Sequence, residues 1–155
     1  MNTKVIEKLI AHPAELSAAE AYQKILDAVL EAFSCNTGTI HSLNTDTNLL
    51  ELQACKGIPE FLLDKVNLIP IGKGIAGAAA EKCEAVQMCN LQTDTSGVAR
   101  PDAKKTKVAG SLAVPILKGE VLKGTLGIGL QEPYDFSSVE ISQLNRVATW
   151  LAQAL

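Results

Sequence analysis

A polar loop holds most of the side chains in this chain that could bind a ligand. It runs from Leu91 to Ala109, between the apolar stretches AVQMCN and SLAVPILK. Loops longer than about 12 to 15 residues are usually binding loops or active-site lids. The candidate ligand-binding residues are the donors and acceptors of this loop and of its two borders: Asn90, Thr93, Asp94, Ser96, Arg100 and Ser111.

Some of these side chains also fit a purely structural role. Asp and Ser often cap local turns, so Asp94 and Ser96 suit either a ligand contact or the loop's own backbone. Arg100 belongs to a basic cluster, which would attract an anionic ligand but is more typical of a solvated helix face. The other members of that cluster are Lys104, Lys105 and Lys107. The sequence leaves both alternatives open.

No residue pattern predicts catalysis or metal binding. His12 and His41 are far apart in the chain, and neither belongs to a nucleophile or zinc-binding motif. The cysteines form no CxxC pair and lie in apolar runs, which predicts buried free thiols. They are Cys35, Cys55, Cys83 and Cys89. We therefore expect no catalytic residue, no metal site and no enzymatic activity.

The segment from Gly72 to Gly77 reads GKGIAG and matches the dinucleotide fingerprint GxGxxG, with Asp94 at a plausible distance. A dinucleotide site requires this turn to follow a parallel strand and to open a βαβ unit. The elements that follow indicate an antiparallel hairpin instead. We therefore interpret the glycines as a tight entry into an alanine-rich helix, and no cofactor is identified.

The order of helices and strands predicts an α+β fold. Apolar spacing over Val5–Ile10 and Ile141–Leu155 indicates amphipathic helices at both ends of the chain. Capping boxes at Ser17–Glu20 and Ser137–Glu140 mark the starts of two helices. The strands between them are joined by short turns and must be antiparallel. They are predicted over residues 37–43 and 49–56 and on either side of the turn Lys118-Gly119-Glu120.

Three motifs in a fixed order resemble those of GAF domains. They are the turn Gly57-Ile58-Pro59, the helix entry GKGIAG, and the strand pair containing SLAVPI and GTLG. The resemblance covers the chain from about Ser17 to its end. It implies a PAS-related central antiparallel sheet, with the terminal helices on one face and a pocket enclosed by loop and helix on the other. It also implies that the candidate residues face this pocket, above a floor of apolar sheet side chains.

The resemblance further implies a regulatory domain that binds a small molecule and acts in signal transduction. Ligand occupancy would favour one arrangement of the terminal helices, and this change would reach a downstream signalling protein or a second subunit. GAF domains that bind cyclic nucleotides carry an NKFDE signature, and phytochrome-type domains attach a bilin to a cysteine beside a histidine. This sequence has neither feature, so the ligand stays unidentified.

Two alternatives to a regulatory domain are considered. One is a free methionine-(R)-sulfoxide reductase, a GAF-fold enzyme with cysteines in the helix entry and in the following loop. The matching positions hold Ala76 and either Val98 or Ala99. Cys83 and Cys89 would substitute only if their side chains met, and Cys89 is expected to lie in an apolar strand. The other alternative is a dimerisation module with a vestigial pocket.

Length and charge favour one domain that binds neither nucleic acid nor membrane. The 155 residues fit a single domain, with a helical extension over residues 1–16 and a core over residues 17–155. The net charge is -3, which argues against a nucleic-acid footprint. No apolar stretch approaches the ~20 residues that cross a bilayer, and the first residues do not form a secretory signal. We expect a cytoplasmic protein.

The terminal helices also suggest an assembly. The apolar seam from Ile141 to Leu155 and the apolar face from Val5 to Ile10 hold more positions than one sheet face needs to cover. We therefore expect a homodimer built through the first and last helices.

Overall fold

The computed structural model describes residues 1–15 and 19–155, which form one antiparallel sheet flanked by helices. The strands are β1 Thr37–Asn44, β2 Leu49–Lys56, β3 Leu68–Pro70, β4 Val86–Met88, β5 Ser111–Lys118 and β6 Val121–Gly129. The α-helices are α1 Thr3–Ile10, α2 Ala19–Phe33, α3 Leu63–Val66, α4 Gly74–Lys82 and α5 Ser138–Ala152. Short 3-10 helices span Glu60–Leu62 and Pro101–Thr106. The strand order is β3-β2-β1-β6-β5-β4.

The predicted α+β class is confirmed. Each neighbouring pair of strands is antiparallel, as the short turns required. The predicted capping box of α5 is present, because the Ser137 hydroxyl accepts from Glu140 N and the Glu140 carboxylate accepts from Ser137 N. The capping box predicted at Ser17 lies outside the described residues.

Alternating side chains give the sheet two different faces. In β5 and β6 five large residues point to one side, where they pack with α2 and α5 in the main core. They are Leu112, Val114, Ile116, Leu126 and Ile128. The opposite side, over which α4 packs, includes the small residues Ser111, Ala113, Gly127 and Gly129. Leu122 of β6 belongs to a second, smaller apolar cluster. The terminal helices therefore cover one face of the sheet, and α4 with the adjoining segments covers the other.

The apolar seam of α5 belongs to the core of its own chain. Leu144, Ala148 and Leu151 are each at most 1% exposed, and they pack against the sheet. Ile6 of α1 is fully buried in the same core. The seam therefore does not hold surplus apolar positions, and this part of the reasoning for a dimer is wrong. Of the described helices, none combines the length and the apolar character needed to cross a membrane.

The buried seam predicts the effect of truncating Leu151. Leu151→Ala should lower the free energy of unfolding by about 2 to 5 kcal/mol, because a fully buried leucine leaves a cavity when shortened. Val139→Ala is the matched control, since Val139 lies on the same helix and is 59% exposed. It should change stability by less than about 0.5 kcal/mol. Urea denaturation of both variants measures the difference, and equal small losses would contradict the core assignment.

Candidate ligand-binding site

A partly open cavity lies on the face of the sheet opposite α2 and α5. Its volume is about 160 Å³. Three strands form its floor: β1, β5 and β6. The floor residues are Thr37, Thr39 and His41 of β1, Ser111 and Ala113 of β5, and Gly127 and Gly129 of β6. The predicted floor of apolar sheet side chains is confirmed only in part, because polar residues such as Thr39, His41 and Ser111 lie there beside Ala113.

The cavity exists because small residues meet across neighbouring strands. Ser111 pairs with Gly129, and Ala113 pairs with Gly127. A Cβ atom added to Gly129 would lie 2.8 Å from Cγ1 of Val108, so a larger residue there would push on the loop above the sheet. The apolar surface comes from the walls instead. Wall residues of this kind are Ile58, Leu62, Val66, Ile69, Ile75, Leu91 and Val108.

The start of α4 forms one wall, which explains the GKGIAG segment. The side-chain-free Gly77 sits against the strand before it, since a Cβ at this position would lie 2.6 Å from the Pro70 carbonyl oxygen. The first residues of the helix, from Gly74 to Ala76, therefore reach the edge of the cavity. The surrounding sheet is antiparallel, so among the described residues this segment does not open the parallel βαβ unit of a dinucleotide site.

His41 is a buried polar residue on the cavity floor. The ring is 1% exposed, and its Nε2 lies 2.7 Å from the Val66 carbonyl oxygen. Because a carbonyl only accepts, Nε2 carries the proton and donates. The other nitrogen, Nδ1, has no hydrogen-bond partner among the described residues, and neither does Oγ1 of Thr125, the residue opposite His41 on β6. Burial lowers the pKa of the imidazole, although the Val66 hydrogen bond acts in the other direction.

The predicted ligand-binding residues fall into two groups. Arg100 and Ser111 line the cavity. The other four are not among its lining residues, and they make hydrogen bonds inside the loop: Asn90, Thr93, Asp94 and Ser96. The Asp94 carboxylate accepts from both the backbone nitrogen and the hydroxyl of Ser96, the latter at 2.6 Å. Contact of any of the six residues with a ligand stays a prediction.

The prediction of buried thiols is only partly correct. Cys35 is buried, and this burial, helped by the charge of Glu140, raises the pKa of its thiol to about 12. Cys55 is half-buried, whereas Cys83 and Cys89 are exposed. Cys83 ends α4 in the left-handed conformation, and Cys89 follows a strand of only three residues. Among the described residues that line the cavity, none is a cysteine.

The antiparallel sheet with helices on both faces is shared with solved structures of GAF domains. The family model for the GAF domain matches residues 15–155. The chain therefore belongs to the GAF domain family, and the resemblance seen in its motifs is confirmed. No match to a curated protein was found.

Solved structures share this fold at low sequence identity. The GAF domain of a phosphoenolpyruvate-protein phosphotransferase from Coxiella burnetii superposes with a TM-score of 0.80 at 20% identity, covering 97% of this chain and 89% of that chain. The equivalent domain from Acinetobacter gives 0.79 at 19%, with the same coverages of 97% and 89%. Free methionine-R-sulfoxide reductase from Neisseria meningitidis, in complex with its substrate, gives 0.76 at 18%, covering 96% and 82%. These likenesses establish the fold alone.

The buried imidazole predicts how stability depends on pH. Its folded pKa lies below the ordinary value of 6.5, so below pH 6.5 the unfolded chain binds more protons than the folded chain. The stability that neutral His41 contributes is therefore complete above pH 6.5 and is lost as the pH falls from there to the folded pKa. Urea denaturation between neutral and mildly acidic pH should show this loss.

Two histidine variants separate the source of this pH dependence. His41→Gln should remove that loss, since its amide can still donate to Val66 but does not titrate in this range. His12→Gln, at an exposed position two residues after α1, should keep the wild-type slope. Equal slopes for wild type and His41→Gln would contradict the assignment.

Proposed function

We propose that this chain is a regulatory domain that binds a small molecule in the cavity and passes its occupancy to the terminal helices. The observation that carries the proposal is the position of the cavity. Its floor strands, β1, β5 and β6, turn their other face to the core that contains α2 and α5. A ligand on one face therefore acts on the sheet to which the terminal helices are fixed.

The size of the cavity limits the ligand. Its volume of about 160 Å³ is close to that of the engineered apolar cavity of roughly 150 Å³ that binds benzene. A ligand of on the order of six to ten non-hydrogen atoms fits such a space. A nucleotide or a bilin is much larger, which agrees with the missing signatures for both. The proposed ligand is therefore a small metabolite.

Coupling to the helices follows from the alternation of side chains. Gly127 faces the cavity, and its neighbours Leu126 and Ile128 lie in the core with α5. A shift of β6 that accommodates a ligand moves these residues as well, because a packed core does not deform continuously. The ligand can shift the helices only by as much as its affinity differs between the two arrangements. A downstream signalling protein or a second subunit would detect the change.

A reductase function is the alternative from the enzyme class, and we propose that the chain lacks it. Ala76 lines the cavity at the position where the resemblance to the reductase family called for a cysteine. Cys83 and Cys89 do not line the cavity. A thiol that reduces a bound sulfoxide must reach the sulfur atom, so neither cysteine is placed to act on a cavity ligand.

This proposal predicts no reductase activity. Purified protein should not turn over free methionine-(R)-sulfoxide with a dithiol reductant, because the cavity offers no attacking thiol. The assay should give the same background rate for wild type and for the double variant Cys83→Ser/Cys89→Ser. Turnover that disappears in this variant would make the chain an enzyme.

A homodimer and a cytoplasmic location stay proposals. If the chain dimerises through α1 and α5, the contact must use residues outside the core, such as the exposed Val139 and the half-buried Trp150 and Ile10. Light scattering of wild type and Val139→Asp tests this arrangement. If metabolite screens find no ligand, the alternative of a dimerisation module with a vestigial pocket is favoured.

Filling the cavity should abolish ligand binding. Ala113 faces the cavity and is 3% exposed, so Ala113→Leu places an isobutyl group where the ligand would lie. In a metabolite screen by thermal denaturation, a ligand at a hundred times its dissociation constant stabilises the wild type by about 2.7 kcal/mol. Ala113→Leu should lose this shift, and Ala11→Leu, the same change at an exposed site, should keep it.

Two variants that shorten a polar side chain locate the polar contacts of any ligand that the screen finds. Ser111→Ala should weaken binding by about 1 to 3 kcal/mol, because it removes a hydroxyl from the cavity floor. Asp94→Ala should have a smaller effect, because Asp94 bonds to its own loop. A hit that Ala113→Leu binds with full affinity would place the ligand elsewhere.

A further inference from the structure

The cavity wall carries a group of positive charges that form no ion pair within residues 1–15 and 19–155, here called the cation cluster: Lys65, Lys73 and Arg100. One carboxylate, that of Asp102, also lines the cavity, and it lies 3.2 Å from Lys105 Nζ. Positive charge therefore predominates along the wall.

The first turn of α4 adds backbone donors at the same wall. Its N-cap residue, Lys73, makes no side-chain capping bond, and the turn contains no acidic residue. The first N–H groups of an α-helix lack acceptors within the helix, and the helix dipole is positive at this end. Gly74, Ile75 and Ala76 carry these groups and line the cavity. Such a helix start favours a bound anion.

Arg100 lies beside this helix start. A Cβ atom at Gly74 would be 3.4 Å from both Cγ and Cδ of Arg100, so the arginine stem passes directly alongside the glycine. Its Nη1 donates to the Lys65 carbonyl oxygen at 3.4 Å, which is a long hydrogen bond. A guanidinium has five N–H donors, so this contact leaves most of them available to a ligand.

An independent sign of a ligand lies on the floor of the same cavity. His41 is 1% exposed, and its Nδ1 is an acceptor that has no hydrogen-bond partner in the described part of the chain. Buried polar atoms in native proteins are nearly always hydrogen-bonded, so an orphaned acceptor at a cavity indicates a missing donor. A bound molecule with a hydroxyl or amino group would supply this donor.

We propose that the ligand is a small carboxylate, with its anionic group between Arg100 and the start of α4 and a hydroxyl or amino group donating to His41 Nδ1. This inference rests on the proposed function and adds the chemical class of the ligand. A carboxylate suits Arg100 because the guanidinium can donate two parallel hydrogen bonds to its oxygens. The cavity admits a ligand of roughly six to ten non-hydrogen atoms, which is enough for a carboxylate, one donor and a short carbon skeleton.

Matched probes separate charge from shape. Isotope-labelled protein is titrated with lactate and lactamide and with para-hydroxybenzoate and para-hydroxybenzamide, while amide resonances are followed by NMR. Each pair differs chiefly in its charge. At least one carboxylate should shift the amides of Gly74, Ile75 and Ala76 and bind about tenfold or more tightly than its amide partner. Inorganic phosphate is a further probe, and it should bind more weakly than that carboxylate.

Charge-removing variants locate the anionic group. Arg100→Gln and Lys73→Gln should each weaken the carboxylate by about tenfold or more. Lys104→Gln is the matched control, since it removes the same charge from the 3-10 helix that follows Arg100 but lies outside the cavity lining. It should keep affinity within about twofold, because its ammonium group is exposed and does not line the cavity. Unchanged amide resonances elsewhere show that each variant is folded.

Several results would overturn the carboxylate proposal. They are equal binding of a carboxylate and its amide, tighter binding of phosphate, an equal loss in Lys104→Gln and Arg100→Gln, or no shift at the start of α4 with any probe. Amides that bind and shift Gly127 and Gly129 would refute the anionic class but leave the proposed ligand-binding function intact. The function itself fails separately, if the metabolite screen finds no ligand that Ala113→Leu excludes.

Discussion

The alternation of large and small residues along β5 and β6 is the constraint on which the rest of this structure depends. On one face, side chains such as Leu126 and Val114 fill the core against α2 and α5. On the other face, Gly127, Gly129 and Ala113 leave a space, which the surrounding walls border but do not fill. Since successive side chains of a strand point to opposite faces, one pattern both stabilises the fold and creates the cavity.

The polar groups around this space belong to its wall and to its floor. The start of α4, Lys73 and Arg100 bring positive charge to the wall, and His41 places an unpartnered acceptor on the floor. A buried acceptor without a donor destabilises an empty cavity, because it gives up its hydrogen bonds to water. A ligand that donates a hydrogen bond to this nitrogen would remove that cost. We therefore expect the site to prefer a small molecule with an anionic group and a hydrogen-bond donor over a purely apolar one.

Much of the fold could be predicted from the sequence, because its signals are local. The Ser137 capping box and the turn at Gly119 mark element boundaries that the structure reproduces. Cys83 and Cys89 were predicted to be buried but are exposed, because α4 and β4 end before the apolar runs of the sequence do. Cys83 occupies the left-handed position that terminates α4, and β4 is too short to include Cys89. An apolar run in the sequence does not reveal where a strand stops.

The candidate site could be predicted less well, for two physical reasons. Asp and Ser suit a turn and a ligand equally, so their residue types could not separate Asp94 from Ser111. The floor does have a signal in the sequence, namely the small residues at every second position of SLAVPI and of LGIG. The same period of two, applied from Ile40 through TGTIHSLN, puts His41 on the face away from the core. The hydrogen bond from that ring to Val66 joins residues that are distant in the chain, so it could not be predicted from a local pattern.

Native mass spectrometry of the purified chain tests the central claim, that the cavity holds a small ligand, most directly. Wild-type protein prepared without denaturation should carry a bound mass that matches a molecule of on the order of six to ten non-hydrogen atoms. Ala113→Leu, prepared in the same way, should carry none. An identical adduct on both proteins would contradict the claim, because the ligand would then lie outside the cavity.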